Sequence, residues 1–271
     1  MTQSDIERTA EEVLAAHGLT GLPVDPMALA RQEGIRLLAG RYGRGFDGRI
    51  EYCERPDGGH YYLFCPEEAP PGWPATRVRF SVAHELGHFF LRRHREYLVS
   101  GMWRGRRTEF VSERRLEREA NYFARAILMP PEPFVAYARR KGGPCTLADL
   151  AYLARQVFHT SIPSTAIRYA QLDLRPCAVV VSEAGRVLFS IRSRKMKHAG
   201  YARLDRIPGP SLTGRLLLAV ARRSTPVTEG FVRADVWFES GPGQLREEAR
   251  VLGRVTRMIT YLVLDENVAR N

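Results

Sequence analysis

Residues 77–94 read RVRFSVAHELGHFFLRRH, and the pentad His84-Glu85-Leu86-Gly87-His88 within them organises the reading of the whole chain. The stretch has no internal proline and reads as a helix of about four turns. Helix positions four apart share a face, so both imidazoles can reach one metal ion while Glu85 addresses a water beside it. The pentad lies among Phe80, Val82, Ala83, Leu86, Phe89, Phe90 and Leu91. A surface helix with two incidental histidines would not be so apolar, and buried imidazoles flanking a carboxylate need a compensating partner. Zinc in such a site lowers the pKa of water toward about 7, and a glutamate placed like Glu85 takes the proton as the oxygen attacks a peptide carbonyl.

A catalytic zinc keeps three protein ligands and one open position. The third ligand must come from elsewhere, and the next strong helical pattern, residues 112–128, offers Glu113, Glu117 and Glu119. Leu116, Ala120, Phe123, Ala124 and Ile127 form its apolar stripe, with Glu113 and Glu117 flanking one edge and Glu119 the other. Phase does not choose among the three, and each has arginine neighbours (Arg114, Arg115, Arg118) that it could simply pair with in solvent. Glu117 has one advantage. Asn121 lies one turn later on its face and could orient a ligating histidine.

Upstream, residues 4–17 read as an amphipathic helix stopped by Gly18, and Asp25 caps a short helix with Pro26 at its first position. Residues 35–39, 48–53 and 60–65 read as short strands, the last two joined by a turn at Asp57-Gly58-Gly59; a proline-rich loop, PEEAPPGWPAT, follows. Residues 96–112 read as an arginine- and glycine-containing connection. Downstream come helices near 132–141, 146–158 and 163–172, then a hairpin around Ala184-Gly185, a helix near 211–223, and strands FVRADVWFE, EEARVLG and RMITYLVLD.

The chain has 271 residues, 44% hydrophobic and 26% charged, which suits a packed protein of one or two domains and excludes a disordered chain. No apolar run reaches the roughly 18–20 residues of a membrane span, and the start of the chain does not read as a secretory signal. The four cysteines, Cys53, Cys65, Cys145 and Cys177, contain no C-x-x-C pair. A cysteine zinc site or disulfide framework is therefore not expected; the thiols read as small buried hydrophobes and the compartment as cytoplasmic. The net charge is +11, with 38 arginines and three lysines; residues 146–271 carry +8 of it. A nucleic-acid partner would be sought there first, although an arginine-rich composition weakens that inference.

RFSVAHELGH followed by LEREANYFARAILMP resembles the ImmA/IrrE family of bacterial zinc peptidases, and PVDPMALARQEGIRL resembles that family's opening. The likeness covers about residues 20–175. Matched residue by residue, it implies zinc ligands at His84, His88 and Glu117, a general base at Glu85 and an orienting residue at Asn121. It implies zinc as the cofactor, with manganese as the alternative, and HYYLFC as the edge strand that pairs with a substrate backbone. The implied fold is α+β: a gluzincin-like metallopeptidase core over 1–145, a helix-turn-helix-like segment over 146–174, and a mixed α/β GAF-like domain over 175–271. The implied activity is a limited cut in a partner protein, a helix-turn-helix repressor, which switches on a stress or mobile-element response. A small effector at the C-terminal domain belongs to the same expectation.

Other features have blander readings beside the functional ones. LADLAYLARQVFHTSIPSTAIRYAQL could read DNA through Arg155 and Arg168, but its Leu, Ala and Tyr content favours a helical buttress. Arg92, Arg93, Arg95, Arg104, Arg106 and Arg107 could steer an acidic substrate or form a solvated face, and SIRSRKMKH could meet nucleic acid. His60 and His94 are candidates to stabilise an oxyanion. A DNA-binding regulator with a structural or vestigial metal site is the alternative function.

Overall fold

The computed structural model describes residues 1–43, 46–67, 75–101, 110–198, 205–221, 228–239, 243–253 and 256–264. The chain forms two compact units: Met1–Phe134 with Leu153–Ser161, and Val135–Tyr152 with Ile162–Asn271. Among the described residues no helix is long and apolar enough to cross a membrane.

The first unit begins with α1 (Gln3–Ala16), whose N-terminus is closed by a reciprocal Thr2–Asp5 capping box. In α2 (Pro26–Gln32) the Asp25 carboxylate accepts from the Met27 N–H at 2.9 Å, and Pro26 occupies the first turn. Three strands follow: β1 (Arg36–Gly40), β2 (Arg49–Arg55) and β3 (Gly58–Pro66). Their order is β1-β3-β2, with β1 parallel and β2 antiparallel to β3. Segment HYYLFC therefore lies in the central strand, with Tyr62, Leu63 and Phe64 paired on both sides, and is not the pairing edge that the resemblance implied. Leu63 in β3 is fully buried, and the most buried of the three strands takes the middle of the sheet. The edge strand carrying Ile50 is β2.

Helix α3 (Thr76–Phe90) packs against this sheet and against α5 (Phe110–Leu128). It ends sooner than the 77–94 pattern predicts. Leu91 is extended, with ψ of 110°, and α4 (Arg92–Val99) starts from it in a new direction. Leu91 is fully buried, as are Leu86, Phe123 and Ile127, so core burial of its side chain accompanies the break. The expected connection over 96–112 thus begins inside α4, and 102–109, with Arg104, Arg106 and Arg107, lies outside the described residues, as does 68–74 of the proline-rich loop. Helix α6 (Pro131–Arg140) follows α5.

In the second unit, strands β4 (Cys177–Glu183), β5 (Arg186–Arg192), β6 (Glu229–Arg233), β7 (Gln244–Val251) and β8 (Arg257–Leu264) form one antiparallel sheet of order β5-β4-β8-β7-β6. Ala184 and Gly185 turn the first hairpin with φ of 48° and 77°, the left-handed pair that a tight hairpin requires. Strand β6 is shorter than FVRADVWFE predicts, because Ala234–Val236 form a 3-10 turn that delivers Trp237 and Phe238 to the core. Helices α8 (Ile162–Gln171) and α9 (Leu212–Ala221) pack on the sheet, and β4 and β8 are buried along nearly their whole length. Successive residues of a strand point to opposite faces, so both faces are covered there. Buried Glu247 closes the start of α9: it accepts from the Leu212 and Thr213 N–H groups, the Thr213 hydroxyl and the Trp237 indole at 2.7–3.1 Å.

Helix α7 (Leu147–Tyr152) runs into a π-helical turn, Leu153–Val157. In α8 every residue from Ser164 to Ala170 is buried, and Arg168 is 0% exposed. A recognition helix must present its basic residues to phosphates and base edges. Arg168 cannot; α8 packs on β4 and β5 of the second unit, so it is core of that unit and not the buttress of the metal site that its composition suggested. Arg155 is exposed.

Candidate metal centre

Helix α3 supplies His84, Glu85 and His88, and the buried Val82, Ala83, Leu86 and Phe89 fix its rotation. Gly87 sets its distance from α5. A Cβ there would lie 3.1 Å from Ala120 Cα and 3.3 Å from the Ala120 carbonyl oxygen, so the two backbones approach closely only because residue 87 has no side chain. Ala120 follows Glu117 by three residues, so this contact seats Glu117 opposite the histidines.

The Nε2 atoms of His84 and His88 lie 3.1 Å apart, with Glu117 oxygens 3.1 Å from the first and 3.5 Å from the second. One donor atom from each residue falls within 4.8 Å of the others, the grouping that could hold a metal among the described residues. Two imidazole nitrogens and one carboxylate oxygen suit zinc, and the set leaves coordination positions open. The Glu117 side chain is 47% exposed while His88 is buried, so the cluster opens toward solvent on the glutamate side. Asn121 lines the same cleft beside His84, and its side chain helps to favour the charged imidazole there.

Glu119, the rival for third ligand, is committed elsewhere. Its oxygens meet His94 Nε2 at 3.1 Å, Arg115 Nε at 2.8 Å and the Met1 amino group at 3.1 Å. Those partners outweigh burial and hold its carboxyl down to about 2. The Glu113 side chain lies outside the described residues.

Glu85 points into a cleft of about 600 Å³ lined also by Asp47, Gly48, Arg49, Ile50, Phe80 and Ser81. Its Oε2 accepts from the Ile50 N–H of β2 at 2.9 Å. Burial raises its pKa to about 7, against the lowering effect of His84 and of that N–H. The His84 pKa is raised: burial opposes this, but the Glu117 hydrogen bond, the charges of Glu85 and Glu117, and Asn121 prevail. His88 falls well below its ordinary value through burial and the neighbouring imidazoles.

Neither proposed oxyanion histidine faces this cleft. His94 is fully buried behind His88, with their Nδ1 atoms 3.1 Å apart, and His60 sits against Asp57 in the β2–β3 hairpin. Arg92 pairs with Glu96 and stands in solvent, whereas Arg95 lies over the Phe89 ring and bonds the Tyr61 hydroxyl. Sequence reasoning missed two features: the Ile50 N–H on Glu85, and the His94–Glu119 pair behind His88.

Residues 71–168 match the family model described as Peptidase_M78: IrrE N-terminal-like domain. The chain carries an IrrE N-terminal-like domain. The match takes in α3, α4 and α5, hence His84, Glu85, His88, Glu117 and Asn121. A solved structure titled Mycobacterium tuberculosis transcriptional regulator resembles the chain with a TM-score of 0.60 at 15% identity, covering 97% of this chain and 88% of that one. At that identity the likeness speaks for the fold. No curated protein sequence matches the chain. An IrrE N-terminal-like domain of this type suggests a metallopeptidase, and the His84–His88–Glu117 cluster is compatible with one.

Proposed function

We propose that this chain is a zinc metalloendopeptidase that makes a limited cut in a partner protein, a helix-turn-helix transcriptional repressor. The observation that carries the reading is the convergence of His84, His88 and Glu117 beside a buried carboxylate, Glu85, in one open cleft. His84, His88 and Glu117 would hold the metal, with Asn121 orienting His84. When bound, zinc supplies Lewis acidity, polarising a carbonyl and making water acidic enough to lose a proton near neutrality.

Glu85 then does the proton work. It lines the cleft beside the donor cluster, placed to accept a proton from water and hand it to the departing amine within one turnover. The outer edge of β2 bears no partner strand among the described residues, and its Ile50 N–H points toward Glu85 rather than β3. An extended peptide adding to that edge would lie along the cleft, with outward groups at Ile50, Tyr52 and Glu54 in register. The five-stranded sheet with helices on both faces supports reading the C-terminal part as GAF-like. The cavity lined by Trp237 and Phe238 there is about 10 Å³, no larger than a water. That cavity is too small to hold an effector.

The test incubates the purified full chain and added zinc with small helix-turn-helix repressors from the same genome and looks for a single cut. Glu85→Gln keeps the metal and loses cleavage, and Glu117→Ala weakens metal binding. Full cleavage by Glu85→Gln sinks the mechanism. The DNA-binding alternative retains support from the basic excess after residue 145. Salt-sensitive duplex binding without any cleavage would favour it.

A further inference from the structure

We propose that His94 and Glu119 are positioning residues that fix the tautomer of His88, so that its Nε2 lone pair faces the metal. The inference rests on the metal-centre reading above and extends it behind the ligand. His88 has one ring nitrogen at the donor cluster and the other 3.1 Å from His94 Nδ1; the far nitrogen of His94 lies 3.1 Å from Glu119 Oε2. All three residues are buried, at 2%, 0% and 7% exposure, so no bulk water replaces these partners.

The proton count follows from the chemistry of each atom. A carboxylate only accepts, so His94 must donate through Nε2–H to Glu119. A neutral imidazole with its hydrogen on Nε2 has a bare Nδ1, which accepts. His88 must therefore donate through Nδ1–H, and its Nε2 is left bare at the cluster. The opposite order would put a hydrogen on His88 Nε2, facing the ion, and two acceptors against each other at Glu119. Only one arrangement satisfies every contact and leaves a ligand lone pair. Arg115, at 2.8 Å from Glu119 Oε1, anchors the carboxylate in turn. Partners behind ligating histidines act in this way, and their loss costs roughly 10–100-fold in metal affinity.

The experiment uses the full chain. Long-range 15N–1H NMR of the metal-free wild type reads the tautomer of His88 directly. Zinc affinity is measured by competition with a chromophoric chelator for wild type, His94→Phe, His94→Gln, Glu119→Leu and His84→Ala. The expected result is an Nδ1–H His88, a loss of roughly 10–100-fold in affinity for His94→Phe and Glu119→Leu, and recovery of most of it in His94→Gln. The Gln amide both accepts and donates, which a merely space-filling role would not require. An Nε2–H His88 in the wild type overturns the relay whatever the variants do, as does unchanged affinity in a folded His94→Phe. If the wild type binds no zinc, or His84→Ala binds it undiminished, the metal-centre reading fails instead, and the NMR result still decides the tautomer.

Discussion

Gly87→Ala is the most informative single change in this molecule, because two opposing effects meet at one atom. Alanine in a helix interior is favoured over glycine by about 1 kcal/mol, so an isolated α3 would be stabilised. In the folded chain the new Cβ would lie 3.1 Å from Ala120 Cα and 3.3 Å from both the Ala120 oxygen and Phe123. Carbon atoms are comfortable at about 3.5–4.0 Å, so α3 and α5 must part by about 0.5 Å or more. The obstacle is backbone, not the end of a flexible side chain, and overpacking of this kind costs about 1–3 kcal/mol. The net effect on the metal-free protein is a loss of about 0–2 kcal/mol. Zinc binding suffers more, because the same shift carries Glu117 away from His84 and His88. Urea denaturation of the metal-free protein gives the first quantity, and chelator competition the second. A variant that gains the full helix-propensity increment and binds zinc as well as the wild type would refute the close helix contact as the determinant of the site.

Two further outcomes follow from the same geometry. With its pKa raised, His84 holds a proton that the incoming ion must displace, so zinc binding should weaken as pH falls. The apparent Kd should rise about tenfold per pH unit once His84 is protonated and level off above that range; a flat profile from about pH 5.5 to 8 would contradict the assignment. Burial pushes the thiols of Cys145 to about 11 and Cys177 to about 12 and raises that of Cys65, while Cys53 is half-exposed. A maleimide should therefore label one thiol in the native protein and four after denaturation, and rapid labelling of a second would show the cores to be looser than described here.

What could be read from sequence was whatever is decided within a few residues. Asp25 and Pro26 announce the start of α2, Gly18 ends a helix in a left-handed conformation, and Ala184-Gly185 closes a hairpin. Each is set by local sterics and hydrogen bonding. The elements misjudged are those that depend on distant partners. Nothing in HYYLFC says that β3 inserts between the two earlier strands; that is decided by pairing with β1, about 25 residues upstream. FVRADVWFE alternates well enough for a strand, yet the need to bury Trp237 and Phe238 bends it after Arg233. Arg168 looked available because burial of an arginine depends on partners that a helical wheel does not display.

The site divides along the same line. His84 and His88 could be paired from spacing alone, because four residues on a helix is a fixed geometry. His94 could not be joined to them. Six residues beyond His88 on an unbroken helix would put it about 120° away around the axis, facing elsewhere. It reaches the back of His88 only because the chain turns at Leu91, and the turn is written in the packing of a leucine rather than in any motif. Glu117 and Glu119 are separated by about 200° on α5, which let them flank opposite edges of one apolar stripe and left the choice of ligand open. The structure gives each a task on a different nitrogen of the same imidazole: Glu117 stands before His88 and Glu119 lies behind it, through His94. A chain could keep the H-E-x-x-H pentad and lose the turn at Leu91, and its second histidine would then lack the acceptor that holds its proton away from the metal. The pentad therefore identifies the candidate ligands, while the fold around Leu91 determines whether the second of them is presented in a form that could bind.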